Sequence, residues 1–565
     1  NQTGSSCTTI GYQAMLYNQS GSENTIIGTN AGAGVPGNSY TANTAVGHTA
    51  LFSASTGHSN TMIGRTAGFF TTTGHSNVYV GRSAGYYNVT GAENIYIGRS
   101  AGQGASAQSN SNNTGVGDQA LFKITTGADN AGFGRDALWS LTNSSHNVAV
   151  GSGAGYYNQT GAYNTYVGGL AGQGTSGSSH SYNTFVGYTA GGTVSVGGYN
   201  TAVGAAAMYD LTGGTYNVAA GYQSMYNQEG GHHCIAIGYQ ALYSNQDEDY
   251  MIAIGTGALA TQNTGWELTA IGYYSQSAAI SGDYNTSLGH ETIRYNVSGS
   301  NNVAIGYRAG KGVAVNSHSD NTLIGYEAGL GITTGQRNVA VGSSAMSLLT
   351  GGLENVAVGY YSGYSNTTGD YNTTIGRSSG LYNQTGGNNT LIGGQAGQGV
   401  SGNSHSNNTA VGYYAMNAIT TGTGNTVVGK DAGSLLTTGA DNVLIGIDAG
   451  DVLTGGARNI IIGQGADAPA AGSNDRLNIG STIYGDLSAK WVGINETANT
   501  NSTAGLTINQ GSNDDVILAF KSSDITQPFT TLAEADTYGS FQKTHATNGG
   551  LSVWSFADNA QTYGF

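Results

Sequence analysis

The chain has 565 residues and a formal net charge of −15, yet only 8% of its residues are charged against a usual ~25%. That acidic, cation-poor balance argues against nucleic acid as a partner, and two cysteines exclude a disulfide framework. No apolar run approaches ~18 residues, so membrane insertion by this segment is not expected. Residue 1 is not Met and already lies inside a repeat, so the chain reads as a piece of something longer.

The chain is organised by a five-residue phrase, Asn60-Thr61-Met62-Ile63-Gly64, which returns as Asn77-Val78-Tyr79-Val80-Gly81 and Asn94-Ile95-Tyr96-Ile97-Gly98. Its closing glycine recurs 28 times from Gly11 to Gly480, at 22 intervals of 17 residues and 5 of 19. A period this strict predicts stacked coils, not a globular enzyme domain. With the glycine as position 0, position −1 is Val or Ile in 25 of 28 coils, and −3 is nearly always Thr, Val or Ile. These residues fit one face of a short strand. Position −2 is apolar too (Ala45, Met62, Tyr79, Tyr96), so the strand is expected to be buried on both faces, with −2 turned toward a partner chain. One strand spacing per coil predicts a rod of roughly 130 Å.

Position −4 is Asn in 23 coils and predicts a hydrogen-bonded ladder, in which Cys7 and Cys234 are substitutes. Position +3 is always small and marks a tight inner corner. Gly at +10, after Thr, reads as a turn glycine taking positive φ. The five long intervals carry tips such as Ser179-His180-Ser181, Ser317-His318-Ser319 and Ser404-His405-Ser406, expected to protrude laterally. The Asn-x-Thr/Ser sequons at Asn18, Asn88, Asn158 and Asn383 all fall at +7, where turn preference explains them without glycosylation. After Gly480 the period stops, and residues 481–565 read as a separate small β domain or junction following a solenoid rod of residues 1–480.

The Asn-x-Ala-Val/Ile-Gly coils resemble the head repeats of trimeric autotransporter adhesins. Gly238-Tyr239-Gln240-Ala241-Leu242 with its Thr-Gly turns is closer to phage tail fibres and bacterial fibres that carry an endosialidase-type intramolecular chaperone. The segment from Leu477 to Ser488, with Val492-Gly493-Ile494, resembles the junction that follows such repeats. The 17-residue period is longer than that of the autotransporter heads. The resemblance implies an all-β homotrimer of left-handed parallel β-rolls, extracellular on a virion tail or bacterial surface, with an adhesive role toward a cell-surface glycan or other receptor.

Three groups of residues are candidates for binding. Arg65, Arg82 and Arg99 occupy +1 in three consecutive coils, where like charges about 5 Å apart repel modestly; a bound anion or a facing carboxylate would relieve this, and otherwise the arginines splay into water. Asp247, Glu248 and Asp249 replace a Thr-Gly turn and are candidate Ca²⁺ ligands with three chains contributing, the alternative being a solvated acidic turn, in a stretch where Cys234, Met251 and Leu268 interrupt the Asn column. Trp491, Tyr538 and Trp554 belong to the aromatic-rich C-terminal stretch, which suits sugar faces at a receptor-binding tip. No other cofactor and no catalytic residue is expected. Alternative functions are a repetitive surface binder such as an ice-binding solenoid, which needs a regular Thr ladder, and a polysaccharide-degrading spike, which needs paired carboxylates.

Overall fold

The computed structural model describes residues 4–244, 247–261, 264–313 and 316–495, together with the strand backbones 505–508, 516–521, 537–543 and 551–555. The chain is an all-β parallel β-solenoid of about 27 turns, and no helix occurs among the described residues. It divides into two compact units, residues 1–343 and 344–565.

In the first unit the strands run from Thr8–Ile10 to Val339–Val341, each paired parallel with the next. Equivalent positions face each other: Thr61 pairs with Val78, Met62 with Tyr79 and Ile63 with Val80. A 19-residue interval leaves this register intact, as Ile95 meets Thr114 and Ile97 meets Val116. The second unit repeats the pattern from Val356–Val358 to Ile460–Ile462. Arg476–Ile479 then pairs parallel with Ile460–Ile462 but antiparallel with Ile483–Asp486, which pairs antiparallel with Trp491–Ile494. The register glycines from Gly11 to Gly463 have φ between 125° and 144°, whereas Gly480 has φ 58°. The twenty-eighth coil of the sequence pattern is therefore where the chain reverses. Beyond it Val516–Lys521, Thr537–Lys543 and Leu551–Ser555 form a three-stranded antiparallel sheet.

The strand faces are the reverse of the sequence expectation. Position −2 points into its own coil: Ile26, Met62, Tyr79, Tyr96, Tyr166 and Phe185 are all fully buried by their own chain. Positions −1 and −3 point outward, with Ile97 39%, Val150 41% and Val203 45% exposed. A coil has one enclosed interior, and the bulky and the small −2 residues both fill it.

That interior is balanced in volume. In most coils where −2 is small, +4 is large, as in Ala45 with Leu51, Gly115 with Leu121 and Ala202 with Met208; Ala149, Ala304 and Ala357 stand instead with Gly155, Gly310 and Gly363, and a Cβ on Gly155 or Gly310 would meet Tyr166 or Leu323 of the next coil. Where −2 is a ring, +4 is glycine. A Cβ on Gly85 would lie 2.3 Å from Tyr79 Cε2, and one on Gly102 2.3 Å from Tyr96. The +4 residues have positive φ whether or not they are glycine (Leu51 50°, Leu121 56°), so volume, not backbone, selects the glycine. Small +3 residues such as Ala67 and Ala84 are fully buried at the inner corner.

The Asn column forms the expected ladder. Asn60 Oδ1 accepts from both the backbone N–H (3.0 Å) and Nδ2 (3.0 Å) of Asn77, and Asn77 Nδ2 also donates to the Gly91 carbonyl at 2.9 Å. Two acceptor sites and two donors are thus used inside a dry core. Asn77→Ala strands the Asn94 backbone N–H and the Gly91 carbonyl and leaves Asn60 Oδ1 with one donor instead of two, and should cost about 2–3 kcal/mol. Hydrogen exchange should show the coils around residues 60–94 opening first; unchanged protection there would refute the ladder's contribution.

The +10 glycines are present for close approach rather than positive φ. None of Gly57, Gly74 or Gly91 has positive φ, but a Cβ on Gly57 would lie 2.5 Å from the Gly74 carbonyl oxygen. The long coils also differ from expectation. Their tips turn inward, so that His180, His318 and His405 are buried, as are Tyr40 and Asn110 in the equivalent slots. At Tyr40, Asn110, His318 and His405 the residue is locked by a +7 Asn of the preceding coil, while Asn158 bonds Gly161 and the Tyr166 hydroxyl. Asn88 Nδ2 donates to the Asn110 carbonyl (3.1 Å), and Asn383 Oδ1 accepts from the His405 N–H (3.1 Å). The sequon residues Asn18, Asn88, Asn158 and Asn383 are therefore buried clamps, closed to glycosylation in the folded chain.

Candidate binding surface

Outside each unit's core, the coils present columns of identical position one strand spacing apart. Position +1 follows the register glycine at an exposed corner. In the first unit it reads His48, Arg65, Arg82, Arg99, Asp118, Arg135 in consecutive coils. Arg99 and Asp118 form a two-pronged pair, Nε to Oδ1 at 2.8 Å and Nη2 to Oδ2 at 2.6 Å. Hydrogen bonding by Arg99 lowers the Asp118 carboxyl below its ordinary range. Arg135 stands 3.5 Å from Asp136. Arg65 and Arg82 have no such carboxylate, and with Thr66, Ser83, Tyr86 and Gln103 they line an open polar cavity of about 250 Å³. A facing carboxylate thus serves one of the three arginines.

In the neighbouring +2 column, further along the first unit, Glu291 is almost enclosed by Arg308 (2.9 Å), Lys311 (2.8 Å) and Arg294. Burial works to raise its carboxyl, but the hydrogen bonds from Lys311, Arg308 and Arg294 prevail and hold it at about 2. This cluster is a closed ion network that no sequence motif signalled, because its members come from two positions, +2 and +5, of two adjacent coils.

Aromatic side chains stack on one another. At −5, His146, Tyr163, Tyr182, Tyr199, Tyr216, His233 and Tyr250 form one continuous ladder, with centroids 4.7–5.2 Å apart and planes within 9° of parallel. Its tyrosines are about half exposed. Because their faces are used within the ladder, they offer edges and hydroxyls to solvent, not the flat faces that sugars stack on.

The acidic run does not gather as a three-ligand set. Asp249 Oδ1 accepts from the His232 backbone N–H at 2.6 Å, while Glu248 is buried and its carboxylate accepts from the Asp247 N–H at 3.2 Å. Among the described residues no group of three or more His, Cys, Asp or Glu is placed to hold a metal ion. The interrupted Asn column beside it is filled by packing: Cys234, Met251 and Leu268 are fully buried. Burial pushes the Cys234 thiol up to about 12, and neither Cys7 nor Cys234 is in a disulfide.

In the second unit Trp491 is buried at the wall of a cavity of about 420 Å³, shared with Arg476, Tyr484 and Asp467. Burial, then a hydrogen bond with the Asp451 carboxyl, raises Asp467 to about 7. Tyr538 and Trp554 lie on the strands Thr537–Lys543 and Leu551–Ser555, and their side chains fall outside the described residues. No helix among the described residues is long and apolar enough to cross a membrane. Comparison with family models, with curated proteins and with solved structures finds no match.

Proposed function

We propose that the chain is a structural and adhesive segment of an extracellular fibre, self-associating as a homotrimer and carrying receptor recognition, with a glycan as the receptor class. The observation that supports this most is the outward strand face. In the first unit Ile63, Ile97, Val150, Val167, Val203 and Ile237 repeat an exposed β-branched residue at −1, and in the second Val358, Ile375, Ile392, Val428 and Ile445 do the same. Contiguous exposed apolar surface on this scale marks an interaction site. A partner carrying apolar groups at the same spacing is a second copy of the chain, and closed symmetry then favours identical contacts. No catalytic role is proposed, and the C-terminal stretch after Gly480 is the proposed receptor-facing end.

Light scattering on the purified chain should give a trimer, and Ile97→Asp with Val150→Asp should yield a folded monomer by circular dichroism. A wild-type chain that is monomeric and folded would overturn the assembly. Adhesion is tested separately, by binding of the intact protein to bacterial cells and to a glycan panel; deletion of residues 481–565 should abolish it if recognition lies at that end. A second reading, surface binding to ice, draws on the outward −3 threonines at Thr8, Thr25, Thr44 and Thr61. The valine and isoleucine that follow at Val78 and Ile95 break the row, and a thermal-hysteresis measurement decides it.

A further inference from the structure

We infer that Arg65 and Arg82 form a binding site for an oxyanion-bearing saccharide, one whose sugar carries a sulfate ester or a carboxylate. The inference rests on the adhesive reading and names the ligand class for one lateral site.

Three independent features converge there. First, the two guanidinium groups sit at the same position of adjacent coils, paired strand to strand through Ile63 and Val80, so their side chains leave the backbone about 5 Å apart. At that distance two like charges repel by about 1 kcal/mol even in water. Second, no hydrogen bond or ion pair among the described residues relieves that repulsion; Asp118 reaches Arg82 only through space, its hydrogen bonds going to Arg99. Neither guanidinium has a hydrogen bond or ion pair among the described residues, whereas Arg99, one coil further on, is held bidentately by Asp118. The sequence keeps acid away: no Asp or Glu occurs between Glu23 and Glu93, in a chain that carries 31 of them. Third, the groups around the arginines are those that recognise a sugar. Thr66 and Ser83 present hydroxyls in contact with each other at 3.0 Å, and the Gln103 amide and Tyr86 ring complete the cavity. Tyr86 has one face against Phe69.

The chemistry follows from these parts. A planar carboxylate or a tetrahedral sulfate accepts two hydrogen bonds from each guanidinium fork, and such charge-assisted bonds are about twice as strong as neutral ones. One bound oxyanion between the two forks replaces repulsion with two attractions. The hydroxyls and the amide then read the sugar ring beside it. A free inorganic anion would satisfy the arginines but leave those groups idle. The Arg99–Asp118 pair bounds the site on one side, because Asp118 returns a negative charge to the column.

The test uses the intact chain in its native assembly and calorimetric titration with three oligosaccharides of equal length: sulfated, uronate-containing and neutral. Binding of the sulfated or the uronate probe, at least tenfold tighter than the neutral one and weakened by added salt, supports the site and tells which oxyanion it takes. R65Q with R82Q should reduce that affinity by tenfold or more, with unchanged circular dichroism, while R135Q leaves it within about twofold. D118N frees Arg99 and should tighten binding several-fold, a gain that a misfolded variant does not produce. Equal binding of the neutral probe, tight binding of inorganic sulfate alone, or indifference to R65Q with R82Q overturns the site. Saccharide affinity that is indifferent to R65Q with R82Q overturns this site and leaves adhesion through residues 481–565 standing; wild-type protein that binds no cells counts against adhesion itself.

Discussion

Tyr79→Ala should destabilise its coil by about 3–5 kcal/mol, and adding Gly85→Leu should recover a substantial part of that loss. Tyr79 is fully buried, stacks on Tyr96 with ring centroids 5.3 Å apart, and its hydroxyl accepts from Asn88 Nδ2 at 2.7 Å. Truncation empties the interior of one coil, and the neighbouring strands, fixed by in-register pairing on both sides, cannot collapse into it. Gly85→Leu alone is also costly, since its Cβ would lie 2.3 Å from the Tyr79 ring. Together the two changes reproduce the Ala45 and Leu51 arrangement that the chain already uses, with Leu51 at φ 50° and Gly85 at 57°. The coupling energy should therefore be favourable by about 1–3 kcal/mol. Stacked coils unfold locally, so hydrogen exchange at residues 62–102 is the appropriate measurement. Additive losses would show that the pairing of −2 with +4 is not a packing rule.

Acid should weaken the chain between about pH 6.5 and 4, and three buried histidines should account for much of it. Burial lowers His318 and His405 to about 4 and His180 to about 3. In the fold each imidazole is neutral. For His318 the tautomer with its proton on Nε2 donates to the Gly310 carbonyl (3.2 Å) and lets Nδ1 accept from Asn321 Nδ2 (3.4 Å). The unfolded chain takes up protons near 6.5 and the folded chain does not, so stability is complete above that value. It falls as the pH drops below it, and the loss levels off under the folded pKa. At pH 5 the loss is about 2 kcal/mol per histidine. The triple variant H180N, H318N, H405N copies Asn110 in the equivalent slot and should remove that component. Denaturant midpoints at pH 7.5 and 5 for both proteins provide the check; an equally acid-labile triple variant would assign the effect to other groups.

Much of the architecture was legible in the sequence because the chain repeats itself. A glycine returning every 17 residues defines coil length, and β-branched residues just before it define the strand. An Asn that must be bonded in every coil defines the ladder. Those inferences need only local chemistry and a stacking rule, and the parallel in-register strands and the Asn60–Asn77 bonds follow from them. The stacked +1 arginines were visible for the same reason.

What the tertiary structure alone decided is which way each side chain faces. Alternation along a three-residue strand separates −2 from −1 and −3, but when all three are apolar the sequence does not say which set is inside. The narrow interior of a 17-residue coil decides it. The interior accepts one strand residue per coil, with its volume matched at +4, and this leaves the β-branched pair in solvent. The same confinement draws His180, His318 and His405 inward, since the two extra residues of a long coil widen the turn, and at His318 and His405 a +7 asparagine clamps the residue by its backbone. Which arginine Asp118 takes also depended on the fold. Arg99 and Arg135 flank it in the +1 column, and the coil geometry gives that carboxylate to Arg99.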